Sequence, residues 1–247
     1  ISPSASAALA SPKRGCDACE LGSDAGRDAC TKLSERTLHG AGVPQDAARA
    51  FDLASCACDA GWPLACASIG LDLQNSTGAP RDVARAINMD EKACAMGAGV
   101  ACFNLGLLFR DGADAPQDMK RANDAFARAR ERYQASCNGG ELETCANLGV
   151  LLENEFDRPA DPTAAAAVYE KACGLGNDTS CVNLTLMLED GRGVPRDEKR
   201  ARKLTEQGCQ HEHALSCANL GAMLMRPGAS EADLKRAASL DPRNPDN

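Results

Sequence analysis

Residues 181–197 read CVNLTLMLEDGRGVPRD, and residues 145–161 repeat the design as CANLGVLLENEFDRPAD. Each string opens on a cysteine, places leucines three and seven residues later, and closes on Pro-x-Asp. Leucines at i and i+4 mark one face of an α-helix. The proline keeps that helix from running on, and the aspartate can accept backbone N–H bonds at the start of a second helix. The unit is a helix pair, A then B, joined by a turn.

The opening cysteine recurs as Cys30, Cys66, Cys102, Cys145, Cys181 and Cys217, at steps of 36, 36, 43, 36 and 36 residues. A fixed period of this length means stacked supersecondary units. Three residues after each marker stands Leu33, Ile69, Leu105, Leu148, Leu184 or Leu220, and the next residue is small: Ser34, Gly70, Gly106, Gly149, Thr185 or Gly221. A glycine there lets a neighbouring helix approach closely. Pro44, Pro80, Pro116, Pro159 and Pro195 end the A helices, and Asp46, Asp82, Asp118, Asp161, Asp197 and Asp233 are predicted to cap the B helices. On each B helix an alanine faces inward: Ala50, Ala86, Ala122, Ala165, Ala201 and Ala237. The third repeat is longer by seven residues, close to two helical turns, which predicts a longer B helix with its buried face unrotated. Residues 1–12, rich in Ser, Ala and Pro, read as a disordered arm or linker, and residues 13–247 as a single repeat solenoid with a polar cap after Cys217.

Of 247 residues 44% are apolar but only 3% aromatic, so the interior must be built from Ala, Leu and Cys in thin helical layers. A net charge of −8 argues against a nucleic-acid partner, which wants a basic stripe. No stretch approaches the roughly 18 to 20 apolar residues of a membrane span and no signal peptide is visible at Ile1, so the chain is expected to be soluble.

Fourteen cysteines, an even number, favour full pairing in an oxidising compartment. Five markers have a second cysteine eight residues earlier, giving Cys58 with Cys66, Cys94 with Cys102, Cys137 with Cys145, Cys173 with Cys181 and Cys209 with Cys217. Cys19 serves Cys30 across a three-residue insertion. Zinc sites bring cysteines in tighter C-x2-4-C pairs, so disulfides are the better reading of this spacing. Cys16 and Cys56 are left over near the ends of consecutive B helices, and a seventh disulfide between them is expected.

The string CxNLGxxL followed by GxGVPxD, RA and AC resembles Sel1-like repeats, relatives of the tetratricopeptide repeat, over about residues 16–240. The C-x7-C spacing is similar to the secreted cysteine-rich Hcp-like subgroup and to a cysteine-rich cytochrome oxidase assembly factor of the mitochondrial intermembrane space. The resemblance implies an all-α, right-handed α-α superhelix with A helices lining its concave side, and proteins that bind other proteins. It also raises two other functions, since subgroup members are sometimes labelled β-lactamases or penicillin-binding proteins and the assembly factor suggests haem or metal delivery.

On the A helices Asn104, Asn147, Asn183 and Asn219 recur two residues after the marker, as an amide ladder able to bind an extended peptide or as ties between repeats. Phe103, Leu107, Val150 and Leu186 stand beside them as a groove floor or as half-buried packing, and Arg110, Glu153 and Glu189 form a charged rim. His211, Glu212 and His213 read as a solvated loop rather than metal ligands. Sequons occur at Asn75, Asn177 and Asn183. The chain has no S-x-x-K, K-T-G, G-x-S-x-G, H-E-x-x-H or P-loop, so no nucleophile and base are placed together. The sequence thus predicts a monomeric, non-enzymatic scaffold without cofactor, secreted or periplasmic, with the mitochondrial intermembrane space as the alternative.

Overall fold

The structure is a computed structural model that describes residues 24–226 apart from 113–114 and 212. The expectations for residues 1–12, Cys16, Cys19, the tail cap, Asp233 and Ala237 lie outside the described residues. The described residues form eleven helices and no strand. The A helices are α1 (Asp24–His39), α3 (Pro63–Asn75), α5 (Gly99–Asp111), α7 (Leu142–Glu153), α9 (Asp178–Asp190) and α11 (Ala214–Leu224). The B helices are α2 (Ala47–Asp59), α4 (Val83–Ala95), α6 (Met119–Asn138), α8 (Pro162–Gly174) and α10 (Glu198–Gln210). The chain divides into two compact units at Ala129 and Arg130, inside α6.

Local chemistry places the helix ends. The carboxylates of Asp46, Asp82, Asp161 and Asp197 accept the backbone N–H three residues on, as N-caps, and Asp118 accepts from Arg121 at 3.0 Å in the same manner. The turns after α3, α5 and α9 pass through the left-handed region at Ser76, Gly112 and Gly191. Gly193 of the GRGVP turn has φ +70°, and a Cβ there would lie 2.1 Å from the Pro162 carbonyl oxygen. Glycine is required at that point because the turn presses on the start of the preceding B helix.

The A helices α1, α3, α7 and α9 pack on their own B helices α2, α4, α8 and α10, and within the units α3 touches α5, α7 touches α9 and α9 touches α11. The aliphatic ladder is buried as expected, with Ile69, Leu105, Leu148, Leu184 and Leu220 at most 3% exposed. So is the alanine row from Ala50 to Ala201. The inserted residues of the third repeat lengthen α6 to 20 residues against 13 for the other B helices. Two added turns return to the same face, and Phe126 and Tyr133, seven residues apart, are both buried.

A size rule not foreseen from the sequence joins the two helices of a repeat. The small residue on helix A meets the residue twenty positions later on helix B. Gly70 faces Asp90, Gly106 faces Phe126 and Gly149 faces Tyr169, each so closely that a Cβ would fall within 2.6 Å of the partner. Where the A residue is Thr185, the B residue is the smaller Thr205, and the two hydroxyls lie 3.5 Å apart. Glycine on helix A leaves room for the rings of Phe126 and Tyr169, whereas the bulkier Thr185 is met by a threonine.

Five disulfides join each B helix to the next A helix: Cys58–Cys66, Cys94–Cys102, Cys137–Cys145, Cys173–Cys181 and Cys209–Cys217. Closing so short a loop contributes roughly 2 to 3 kcal/mol each in the chain-entropy model. Cys30 and Cys56 are also disulfide-bonded, while their expected partners Cys19 and Cys16 lie outside the described residues.

Candidate partner-binding face

In the unit that begins at Arg130, the A helices α7, α9 and α11 carry Asn147, Asn183 and Asn219 of the amide ladder. Asn147 is exposed, and Asn183 and Asn219 are half-buried. Asn183 hydrogen-bonds the Tyr169 phenol, lowering a pKa that burial pushes up. Among the described residues neither Asn147 nor Asn219 has a side-chain hydrogen bond. The ladder therefore splits: the Asn183 amide is tied to the core, whereas Asn147 is open to solvent.

Beside these amides Val150 is 38% and Leu186 42% exposed, while Ala146 and Val182, one turn earlier, are buried. The outer half of the apolar stripe is thus open and the inner half is packing. The rim carboxylates are mostly committed. Glu153 is ion-paired with Arg192 and accepts from the Tyr169 hydroxyl at 3.3 Å, and Glu189 is paired with Arg226. Each pair ties an A helix to an arginine beyond the end of the next A helix, so these two glutamates lock neighbouring repeats together.

In the unit that ends at Ala129, Phe103 on α5 is half-buried with its ring 5.6 Å from that of Phe126. Asn104 and Leu107 are half-buried as well. Arg110 is bonded to Asp111 at 2.6 Å, and that guanidinium holds the Asp111 carboxyl below the usual range. Between α1 and α3 lies a cavity of about 390 Å³, bordered by Glu35, Leu38, His39, Leu64, Leu71 and Asp72. A second cavity, of about 690 Å³, lies over the Cys173–Cys181 disulfide between α8 and α10, bridged by the Glu170–Arg200 ion pair. Neither cavity was singled out from the sequence, because each is formed by residues from different repeats.

The histidine cluster has a local task. The His213 ring caps α11, with Nδ1 2.9 Å from the Ser216 hydroxyl and accepting the Ser216 N–H. His211 is exposed. Asn177 is likewise a buried cap, accepting from the Ser180 N–H at 2.8 Å, whereas Asn75 is exposed at the end of α3. Among the described residues no group of three His, Cys, Asp or Glu is arranged to hold a metal, and no helix is long and apolar enough to cross a membrane.

This stack of capped helix pairs has its counterpart in known proteins. The Sel1 repeat family matches residues 27–62, 63–97, 99–127, 142–177 and 179–213, more than half of the chain. The chain belongs to the Sel1 repeat family. Among solved structures, a Sel1 repeat protein from Oxalobacter formigenes is similar at 21% identity, with a TM-score of 0.60 over 87% of this chain and 85% of that one. The protein c5321, described as a protective antigen of uropathogenic Escherichia coli strains with an SLR fold, is similar at 23% identity and a TM-score of 0.53, over 90% of this chain. The match spans 45% of the length of c5321. Cysteine rich protein B of Helicobacter pylori is 26% identical over 57% of this chain and 96% of its own, with a TM-score of 0.36. No curated protein gives a significant match. The disulfides at the five described B-to-A junctions fit a protein of an oxidising compartment.

Proposed function

We propose that this chain is a non-enzymatic scaffold, secreted or periplasmic, that binds a protein or extended peptide as a monomer through the exposed face of its A helices. One observation carries the reading: among the described residues the amides of Asn147 and Asn219 have no internal partner, and the side chains of Val150 and Leu186 on the same A-helix face are open. An extended peptide offers N–H and C=O groups in turn, and a carboxamide can accept from one and donate to the other. The apolar neighbours supply area that excludes water from those bonds. Disulfides and ion pairs hold the A helices at fixed spacing, which keeps the ordering cost of binding low.

Position-specific crosslinking tests this. A photoreactive residue at 150 or 186 should capture the same protein from the source compartment, in a manner lost on Asn147→Ala. A probe at the exposed Lys203 of α10 should not capture it. Capture from position 203 alone, or capture indifferent to Asn147, would overturn the assignment of the face. Turnover of a chromogenic β-lactam by the purified chain would overturn the non-enzymatic part.

A further inference from the structure

The cavity between α1 and α3 differs in kind from the rest of the A-helix face. Leu64 and Leu71 are 51% and 49% exposed there, so its apolar floor is open to solvent. Its volume of about 390 Å³ lies at the small end of ligand pockets, suited to a few side chains rather than a folded surface.

Among the described residues its border carries the carboxylates of Glu35 and Asp72 and the imidazole of His39, with no lysine or arginine. Glu153, Glu189 and Asp111 each hold an arginine, whereas Glu35 and Asp72 have no ion pair among the described residues. Cations close in sequence or on the adjoining B helix are engaged elsewhere: Arg36 donates to the Ala41 carbonyl, Arg81 to the Gln74 carbonyl and Lys92 to the Cys58 carbonyl. Lys32 also has a partner already. Asp72 is half-buried, and desolvation raises its carboxyl above the usual range, a penalty that an arriving cation would relieve.

We infer that this groove docks a protein segment carrying a lysine or arginine next to apolar side chains. The charged head meets Glu35 and Asp72, and its methylene stem lies along Leu64 and Leu71 in the way long cationic side chains cover apolar surface. The inference rests on the reading of the chain as a peptide-binding scaffold and adds the charge of the partner.

Fluorescence anisotropy with short synthetic peptides of equal leucine content, bearing either lysine or glutamine, tests it on the full oxidised chain. Lysine peptides should bind about tenfold or more tightly than their glutamine counterparts, with the advantage shrinking as salt is raised. Glu35→Gln with Asp72→Asn should cancel that preference without lowering the melting temperature. Glu143→Gln with Glu155→Gln changes the net charge equally at exposed positions of the other unit and should leave the preference intact. Equal binding of both peptides, or a preference that survives at Glu35 and Asp72, overturns the inference. If the crosslinks from positions 150 and 186 still form in that case, the groove alone is refuted and the scaffold reading stands.

Discussion

A Cβ placed on Gly149 would lie 2.2 Å from Cε1 of Tyr169, and Tyr169 has no exposed surface. The glycine on α7 is the room that the ring on α8 occupies, and the phenol at the ring's far edge bonds Glu153 and Asn183. This contact sets the first prediction. Gly149→Ala should destabilise the chain by about 1 to 3 kcal/mol through overpacking. Adding Tyr169→Thr, the residue type found at the matching contact of Thr185 with Thr205, should then cost less than the two changes summed. A double-mutant cycle from denaturant melts should give a coupling of about 1 kcal/mol or more, and strict additivity would contradict the size rule.

Asp90 stands at the position of Phe126 and Tyr169 and is fully buried against Gly70. Its Oδ2 accepts weakly from Gln74 at 3.3 Å, its Oδ1 has no partner, and burial pushes the carboxyl up to about 7. The folded state therefore binds this proton more tightly than the unfolded chain, and stability falls as pH rises from about 4 to about 7. Asp90→Asn should raise stability at pH 8 by on the order of 2 to 4 kcal/mol, seen as a higher melting temperature, and by much less at pH 4. A gain that is the same at both pH values would show that the charge is not the cause.

The disulfides differ in exposure along the chain. Cys58, Cys66, Cys94, Cys102, Cys137 and Cys145 are buried, whereas Cys173, Cys181, Cys209 and Cys217 are half-buried. Brief treatment of the folded protein with reductant, followed by alkylation and peptide mapping, should label these last four first. Complete reduction should lower the melting temperature by many degrees, because each closed loop contributes roughly 2 to 3 kcal/mol. Uniform labelling of all pairs would mean that reduction proceeds through global unfolding.

The asparagines should separate by role. Asn183→Ala removes the partner of a buried phenol and should cost about 1 kcal/mol of stability. Asn147→Ala and Asn219→Ala should leave the melting temperature within about a degree while weakening partner binding. Thermal melts and a binding titration on the same samples check both halves. A stability loss at Asn147 as large as that at Asn183 would make the whole ladder an inter-repeat tie.

The sequence by itself determined the period, the helix pairs, the aspartate caps and the five B-to-A disulfides. These features connect residues no more than eight positions apart or repeat identically down the chain, so spacing alone encodes them. Only the tertiary structure decided which recurring positions are spent and which are open. Glu153 and Glu189 looked like a free rim until Arg192 and Arg226, 39 and 37 residues away, were found against them. Asn147 and Asn183 share a repeat position, but only Asn183 has a phenol to bond: the ring that Gly149 admits is Tyr169, whereas the ring that Gly106 admits one repeat earlier is Phe126, which carries no hydroxyl. The groove at Glu35 and Asp72 arises the same way, from the fit between helices of successive repeats. Such fits depend on the volumes and charges of several side chains at once, and the linear order of residues does not bring those side chains together.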